Sequence, residues 1–174
     1  MTIEELQKFC ADDGFRPSIN KPWTRDGKTY ATNGHILIAI PAVQGVPENV
    51  LAPNAEAVLV KVPAPENWFL IPHDIPEPQT STEKVPCDRC SGTGEIECRE
   101  CGSTLECPEC GGNGKLEPIT PFILHEIGGV SFDAKCLHLL KNLPGVEIGP
   151  NGEGKVARIR FEGGEGLLMP VRSE

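Results

Sequence analysis

Apolar positions recur along this chain in two rhythms, and each change of rhythm marks an element. Near the amino end, Ile3, Leu6 and Phe9 to Cys10 recur at helical spacing, and Thr2 with Glu5 three residues later is a capping box. The pattern predicts a short amphipathic helix to about Ala11, ended by Gly14. Strand signals follow: Asp26-Gly27 and Asn33-Gly34 are hairpin turns flanking Thr29 to Ala31, and His35 to Ile40 is a β-rich run closed by Pro41. Ala42 to Ala55 reads as loop, with Val58 to Val62 and Trp68 to Ile71 as two further strands.

Pro72, Pro76, Pro78 and Pro86 among polar residues disfavour both helix and central strand, which makes Pro72 to Pro86 a linker. Beyond Lys115 the globular pattern resumes: a strand over Phe122 to Ile127, a Gly128-Gly129 turn, and a helix from Asp133 to about Asn142, stopped by Pro144. Gly145 to Ile148, Val156 to Phe161 and Gly166 to Val171 read as three more strands. The expected architecture is one discontinuous α+β domain, residues 1–80 and 116–174, with two helices on an antiparallel sheet and residues 81–115 inserted as a cysteine-rich module.

Composition narrows the function classes. A chain of 174 residues with 39% hydrophobic content suffices for one core and a small satellite. It contains no run of eighteen apolar residues, and its amino terminus carries acids where an export signal carries bases, so a cytoplasmic protein without a membrane segment is expected. The net charge of -9 argues against direct nucleic-acid binding, since phosphate recognition draws on Lys and Arg. Ser81 to Pro118 alone carries 4 bases against 8 acids.

Six of the eight cysteines form three Cys-x-x-Cys pairs within 24 residues, which in a reducing compartment reads as metal binding. Cys87 to Gly94 (CDRCSGTG) and Cys107 to Gly114 (CPECGGNG) follow a Cys-x-x-Cys-x-Gly-x-Gly repeat; Cys98 to Cys101 (CREC) is a third pair with one trailing glycine. Two thiolates separated by two residues close on one metal when the backbone turns tightly, and the glycines supply the positive φ that such a knuckle needs. This segment resembles the cysteine-rich domain of DnaJ-type co-chaperones, whose repeats pair first with fourth and second with third around zinc. The resemblance implies that the complete repeats are the outer partners, so that Cys87, Cys90, Cys107 and Cys110 hold one Zn²⁺. Cys98 and Cys101 would then need outside ligands, such as Cys136, His125 or His138, or a shared thiolate, to hold a second; the competing pairing of Cys98 and Cys101 with Cys107 and Cys110 leaves five residues between knuckles. Lone Cys10 and Cys136 sit on apolar helix faces and read as core.

The flanking sequence carries a second resemblance. Thr29 to Leu37 (TYATNGHIL), Val130 to Leu137 (VSFDAKCL) and Leu167 to Arg172 (LLMPVR) are similar to motifs of the bacterial sliding clamps, the processivity factors of replicative polymerases. In the clamps such segments help build an apolar pocket for linear peptides, which carries over to Thr32, Gly34, His35, Leu37, Leu167, Met169 and Pro170. Asn33 and Ile36 stand where the motif has Asp and Arg, and a clamp assembles the pocket from more than one domain, so two chains meeting head to tail as a homo-oligomer would rebuild it. The DNA-encircling role is not expected, because neither helix has a basic face. The mosaic suits a bacteriophage or prophage accessory protein.

The histidines, His35, His73, His125 and His138, are scattered, and no nucleophile elbow or phosphate loop occurs. The expectation is therefore a non-enzymatic adaptor that binds a protein or peptide. Its alternatives are a DnaJ-like module for unfolded polypeptide and, less favoured, a thiol-disulfide oxidoreductase at Cys98 and Cys101.

Overall fold

The computed structural model describes residues 1–12, 16–75, 84–98, 100–116 and 123–172. Gly14, Pro76, Pro78 and Phe122, used above as boundary signals, lie outside them. The chain divides into two compact units, Met1–Glu77 with Phe122–Glu174, and Pro78–Pro121. The larger opens with α1 (Ile3–Gln7), β1 (Trp23–Arg25), β2 (Lys28–Thr32), β3 (Ile36–Pro41), α2 (Ala55–Lys61) and β4 (Phe69–Leu70). The smaller holds β5 (Val85–Pro86), β6 (Glu95–Glu97), β7 (Thr104–Glu106) and β8 (Lys115–Leu116). The larger resumes with β9 (Leu124–Ile127), β10 (Val130–Asp133), α3 (Ala134–Leu140), β11 (Glu147–Gly149), β12 (Ala157–Phe161) and β13 (Gly164–Leu168).

Seven strands form one sheet in the order β1-β2-β3-β13-β12-β11-β4, every neighbouring pair antiparallel. Central β3 explains the unbroken apolar run of the sequence. Ile36, Ile38 and Ile40 enter a core with Leu6, Phe132, Leu137 and Leu140, while Leu37 and Ala39 enter a second core with Trp23, Tyr30 and Leu59. A strand covered on both faces has no polar face to show. β12 is covered differently: Ala157, Ile159 and Phe161 fill the first core, and Arg158 between them donates to the carbonyls of Leu59 (2.8 Å) and Val62 (3.0 Å). Those carbonyls end α2, so the guanidinium caps that helix from the sheet.

The Thr2–Glu5 capping box forms on α1. The helix is shorter than its apolar spacing suggested, because the Ala11 N–H is taken by the Ile19 carbonyl at 3.0 Å. α3 starts one residue after Asp133, whose carboxylate accepts from the Lys135 N–H at 2.8 Å.

Two expectations need correction. Val58 to Val62 is not a strand: Asn54 caps the Ala57 N–H, Ala55 and Leu59 are buried one helical turn apart, and Val58 and Val60 face outward at 51% and 71% exposure. The alternating valines mimicked a strand, while the cap and the Ala55–Leu59 pair set a helix. The described residues accordingly contain three α-helices rather than two. The helix expected from Asp133 begins at Ala134, and Val130 to Asp133, to which the pattern assigns no strand, is β10, paired with β9 across the Gly128-Gly129 turn.

In the smaller unit, β5 pairs with β8 and β6 with β7. Pro86, counted above as linker, pairs with Lys115 in a two-stranded ladder, where the missing N–H can face away from the partner strand. Ile96 and Leu116 pack against the four cysteines at its centre. Among the described residues, no helix is long and apolar enough to cross a membrane.

Candidate metal centre

Cys87, Cys90, Cys107 and Cys110 are buried together, and their four sulfurs all lie within 4.8 Å of one another. Cys87 Sγ is 3.8 Å from Cys107 Sγ, and Cys90 Sγ is 3.8 Å from Cys110 Sγ. A tetrahedron with metal–sulfur bonds of about 2.3 Å has edges of about 3.8 Å, whereas a disulfide would bring two sulfurs to about 2.05 Å. The cluster fits one metal ion held by four thiolates, with no ligand position left for water or substrate.

The two knuckles are built alike. Gly92 N–H donates to the Cys87 carbonyl (3.0 Å) and Gly112 N–H to the Cys107 carbonyl (3.3 Å), which closes each turn. The Gly94 N–H points at Cys90 Sγ (3.2 Å) and the Gly114 N–H at Cys110 Sγ (3.3 Å). The knuckles are then cross-tied, Cys87 N–H to the Gly114 carbonyl (2.9 Å) and Cys107 N–H to the Gly94 carbonyl (2.8 Å). This contact dictates the last glycine of each repeat. A Cβ on Gly94 would stand 2.1 Å from the Gly112 oxygen, and one on Gly114 would stand 2.2 Å from the Gly92 oxygen.

Burial pushes Cys87 up to about 11 and also raises Cys110. Burial acts the same way on Cys90, but the Gly94 N–H and the neighbouring thiols of Cys87 and Cys110 outweigh it and bring that group down to about 7. In the metal-free protein Cys90 therefore ionises near neutral pH, while Cys87 and Cys110 keep their protons until a cation enters.

Cys98 and Cys101 are absent from this cluster. They lie in the loop of the β6–β7 hairpin, where Cys98 N–H donates to the Ser103 carbonyl (2.8 Å) and Gly102 N–H to the Cys98 carbonyl (2.9 Å). At the positions equivalent to Gly92 and Gly94 this pair carries Ser103 and Leu105, so it cannot make the close glycine contact that joins the other two. Cys101 is exposed, and the Ser103 side chain, 2.9 Å away, holds its thiol below the usual range. Cys10 and Cys136 are buried in the larger core, as expected, and burial raises their thiols to about 11 and about 12.

The structure also brings together most of the residues assigned to a partner surface. His35, Leu37, Leu167 and Met169, with Trp23 and Val58, line an apolar hollow of about 180 Å³ between the sheet and α2; Thr32 and Gly34 border it. Leu37 and Leu167 form its buried floor, and Val58 and Met169 are exposed at its rim. Met169 N–H donates to the His35 carbonyl at 2.8 Å, which ties the carboxyl-terminal end of β13 to the turn before β3. Half-buried Pro170 is outside the lining. Sequence reasoning missed Trp23 and Val58; the Asn54 cap was the one signal that would have placed Val58 on a helix.

Comparison of the chain with family models, with curated proteins and with solved structures finds no match. The resemblances to DnaJ-type modules and to sliding clamps therefore rest on the motifs themselves.

Proposed function

We propose that this protein is a non-enzymatic, zinc-binding adaptor: the four-cysteine cluster holds a structural Zn²⁺, and the hollow beside α2 receives a linear peptide motif, as the clamp resemblance implies. The observation that carries the metal assignment is the closed set of four buried sulfurs at tetrahedral spacing. Four thiolates favour a soft or borderline ion over magnesium or calcium, and Zn²⁺ has no geometric preference that would oppose a tetrahedron. Replacing zinc with Co²⁺ tests this directly. Tetrahedral thiolate absorption bands should appear at about one cobalt for each cluster and vanish in Cys107→Ser.

Support for the adaptor role comes from the hollow's construction, an apolar floor with an exposed methionine at its edge. A space of this size accommodates one large side chain, and burying a Leu or Phe anchor contributes roughly 1.5–3 kcal/mol, suited to a transient complex. A labelled peptide carrying adjacent Leu and Phe anchors should bind saturably to the wild-type protein. In Met169→Glu that binding should be lost with stability changed by less than about 0.5 kcal/mol, as for a surface position. Unaltered peptide binding by Met169→Glu, or unfolding of that variant, would remove the pocket from the reading.

A further inference from the structure

The cysteine pair outside the cluster is half of a metal site. Cys98 and Cys101 have the two-residue spacing of a zinc knuckle and sit together in the loop of a two-stranded hairpin, Cys98 half-buried and Cys101 exposed, whereas the other six cysteines are buried. Among the described residues no third Cys, His, Asp or Glu groups with them. A structural zinc takes four ligands, so two thiolates alone leave its coordination open. An identical pair on a second molecule supplies the missing two, and two equal half-sites meeting about one ion generate a two-fold axis through it. The chain already brings two Cys-x-x-Cys pairs together into one four-sulfur cluster.

We infer that Cys98 and Cys101 of one molecule, with the same pair of a second copy of this chain, hold a Zn²⁺ that bridges the two hairpin loops. No electron changes hands; the thiols release their protons to solvent as the metal binds. The Ser103 side chain, 2.9 Å from Cys101 Sγ, supplies a hydroxyl donor to the bound thiolate, the role that the Gly94 and Gly114 N–H groups play in the intramolecular centre.

Charge makes the bridge depend on the metal. Exposed Glu95, Glu97, Glu100 and Glu106 surround the loop, so two metal-free hairpins repel one another. Leu105, half exposed on β7, is a single apolar residue and no substitute for the ion. The pairing should therefore form when zinc is present and fall apart when it is removed. The inference rests on the zinc reading of the four-cysteine cluster only for the total metal count.

Native mass spectrometry of the full, reduced chain loaded with zinc gives the test. A dimer with three zinc ions is expected, and Cys98→Ser/Cys101→Ser should yield monomers with one zinc each. A dimer with one zinc, again lost in the double variant, would support the bridge while overturning the zinc assignment of the four-cysteine cluster. Loaded wild type that stays monomeric, that carries two zinc ions per monomer, or that forms a dimer unaffected by the double variant would overturn the bridge. An intramolecular Cys98–Cys101 disulfide persisting under reductant, read as a loss of two mass units, would overturn it as well.

Discussion

The two units are held together by different forces. The larger buries Trp23, Tyr30, Phe132 and a set of Ile and Leu side chains on both faces of a seven-stranded sheet. The smaller buries four cysteines, and among the described residues the hydrophobic side chains packed against them are Ile96 and Leu116. At about 25 cal/mol per Å² of apolar surface, two partly buried side chains cannot offset the ordering of residues 84–98 and 100–116. A metal can, because its ligands converge only in the folded state. The larger unit should thus be stable by packing and the smaller by coordination.

Removing the metal should have the largest effect. Structural zinc contributes about 10–16 kcal/mol of apparent binding energy near neutral pH, far more than a unit of this size gains by packing. Under chelator, amide exchange over residues 84–116 should rise to nearly unfolded rates, while β3, β12 and β13 stay protected. Comparable protection of residues 84–116 with and without metal would erase the distinction. The pH dependence has a definite sign. Cys87 and Cys110 lie above the usual thiol range in the metal-free protein, so both are protonated at pH 7.5 and must lose their protons to bind. Zinc affinity should therefore fall as pH falls, and calorimetry in buffers of different ionisation enthalpy should register release of at least two protons per ion at the cluster.

The reciprocal change comes next in size. Phe132 is fully buried beneath α3, so Phe132→Ala should cost about 3–5 kcal/mol. Denaturant unfolding of the larger unit would show that loss, with zinc affinity unchanged. A parallel drop in zinc affinity would mean that the two units share their stability.

The smallest effect separates two glycines of one knuckle. Gly114→Ala drives a Cβ to 2.2 Å from the Gly92 oxygen, whereas at Gly111 the same Cβ meets nothing within 4 Å and only the left-handed backbone is strained. The left-handed conformation costs a non-glycine residue roughly 1–2 kcal/mol. Gly111→Ala should weaken zinc binding by no more than that in competition with a chromophoric chelator. Gly114→Ala should weaken it further, because the backbone tie between knuckles must open. Equal losses at both positions would show that φ alone, and not the close approach of the chains, selects the glycines.

Much of this was legible in the residues, because it depends on contacts only a few positions apart. The Thr2–Glu5 cap and the Asp133 start of α3 follow from side chains reaching backbone groups two or three residues away, and the Asp26-Gly27 turn from two adjacent residues that take a positive φ. The same holds for the bends of the knuckles, where each Cys-x-x-Cys-x-Gly-x-Gly closes on itself. Even the exclusion of Cys98 and Cys101 has a local trace, Ser103 and Leu105 in place of glycine.

What the sequence left open depends on partners distant along the chain. Val58 to Lys61 became helical because Ala55 and Leu59 found the core formed by Trp23, Tyr30 and Leu37, and Arg158 capped the helix end. The apolar hollow exists only where β3, β13 and that helix meet, so residues as far apart as Trp23 and Met169 share one wall. Which cysteines join was likewise decided between residues twenty positions apart, by a glycine of one knuckle lying against the backbone of the other. Local pattern set the bends and caps; long-range packing decided which surfaces those elements bury and which they leave facing outward.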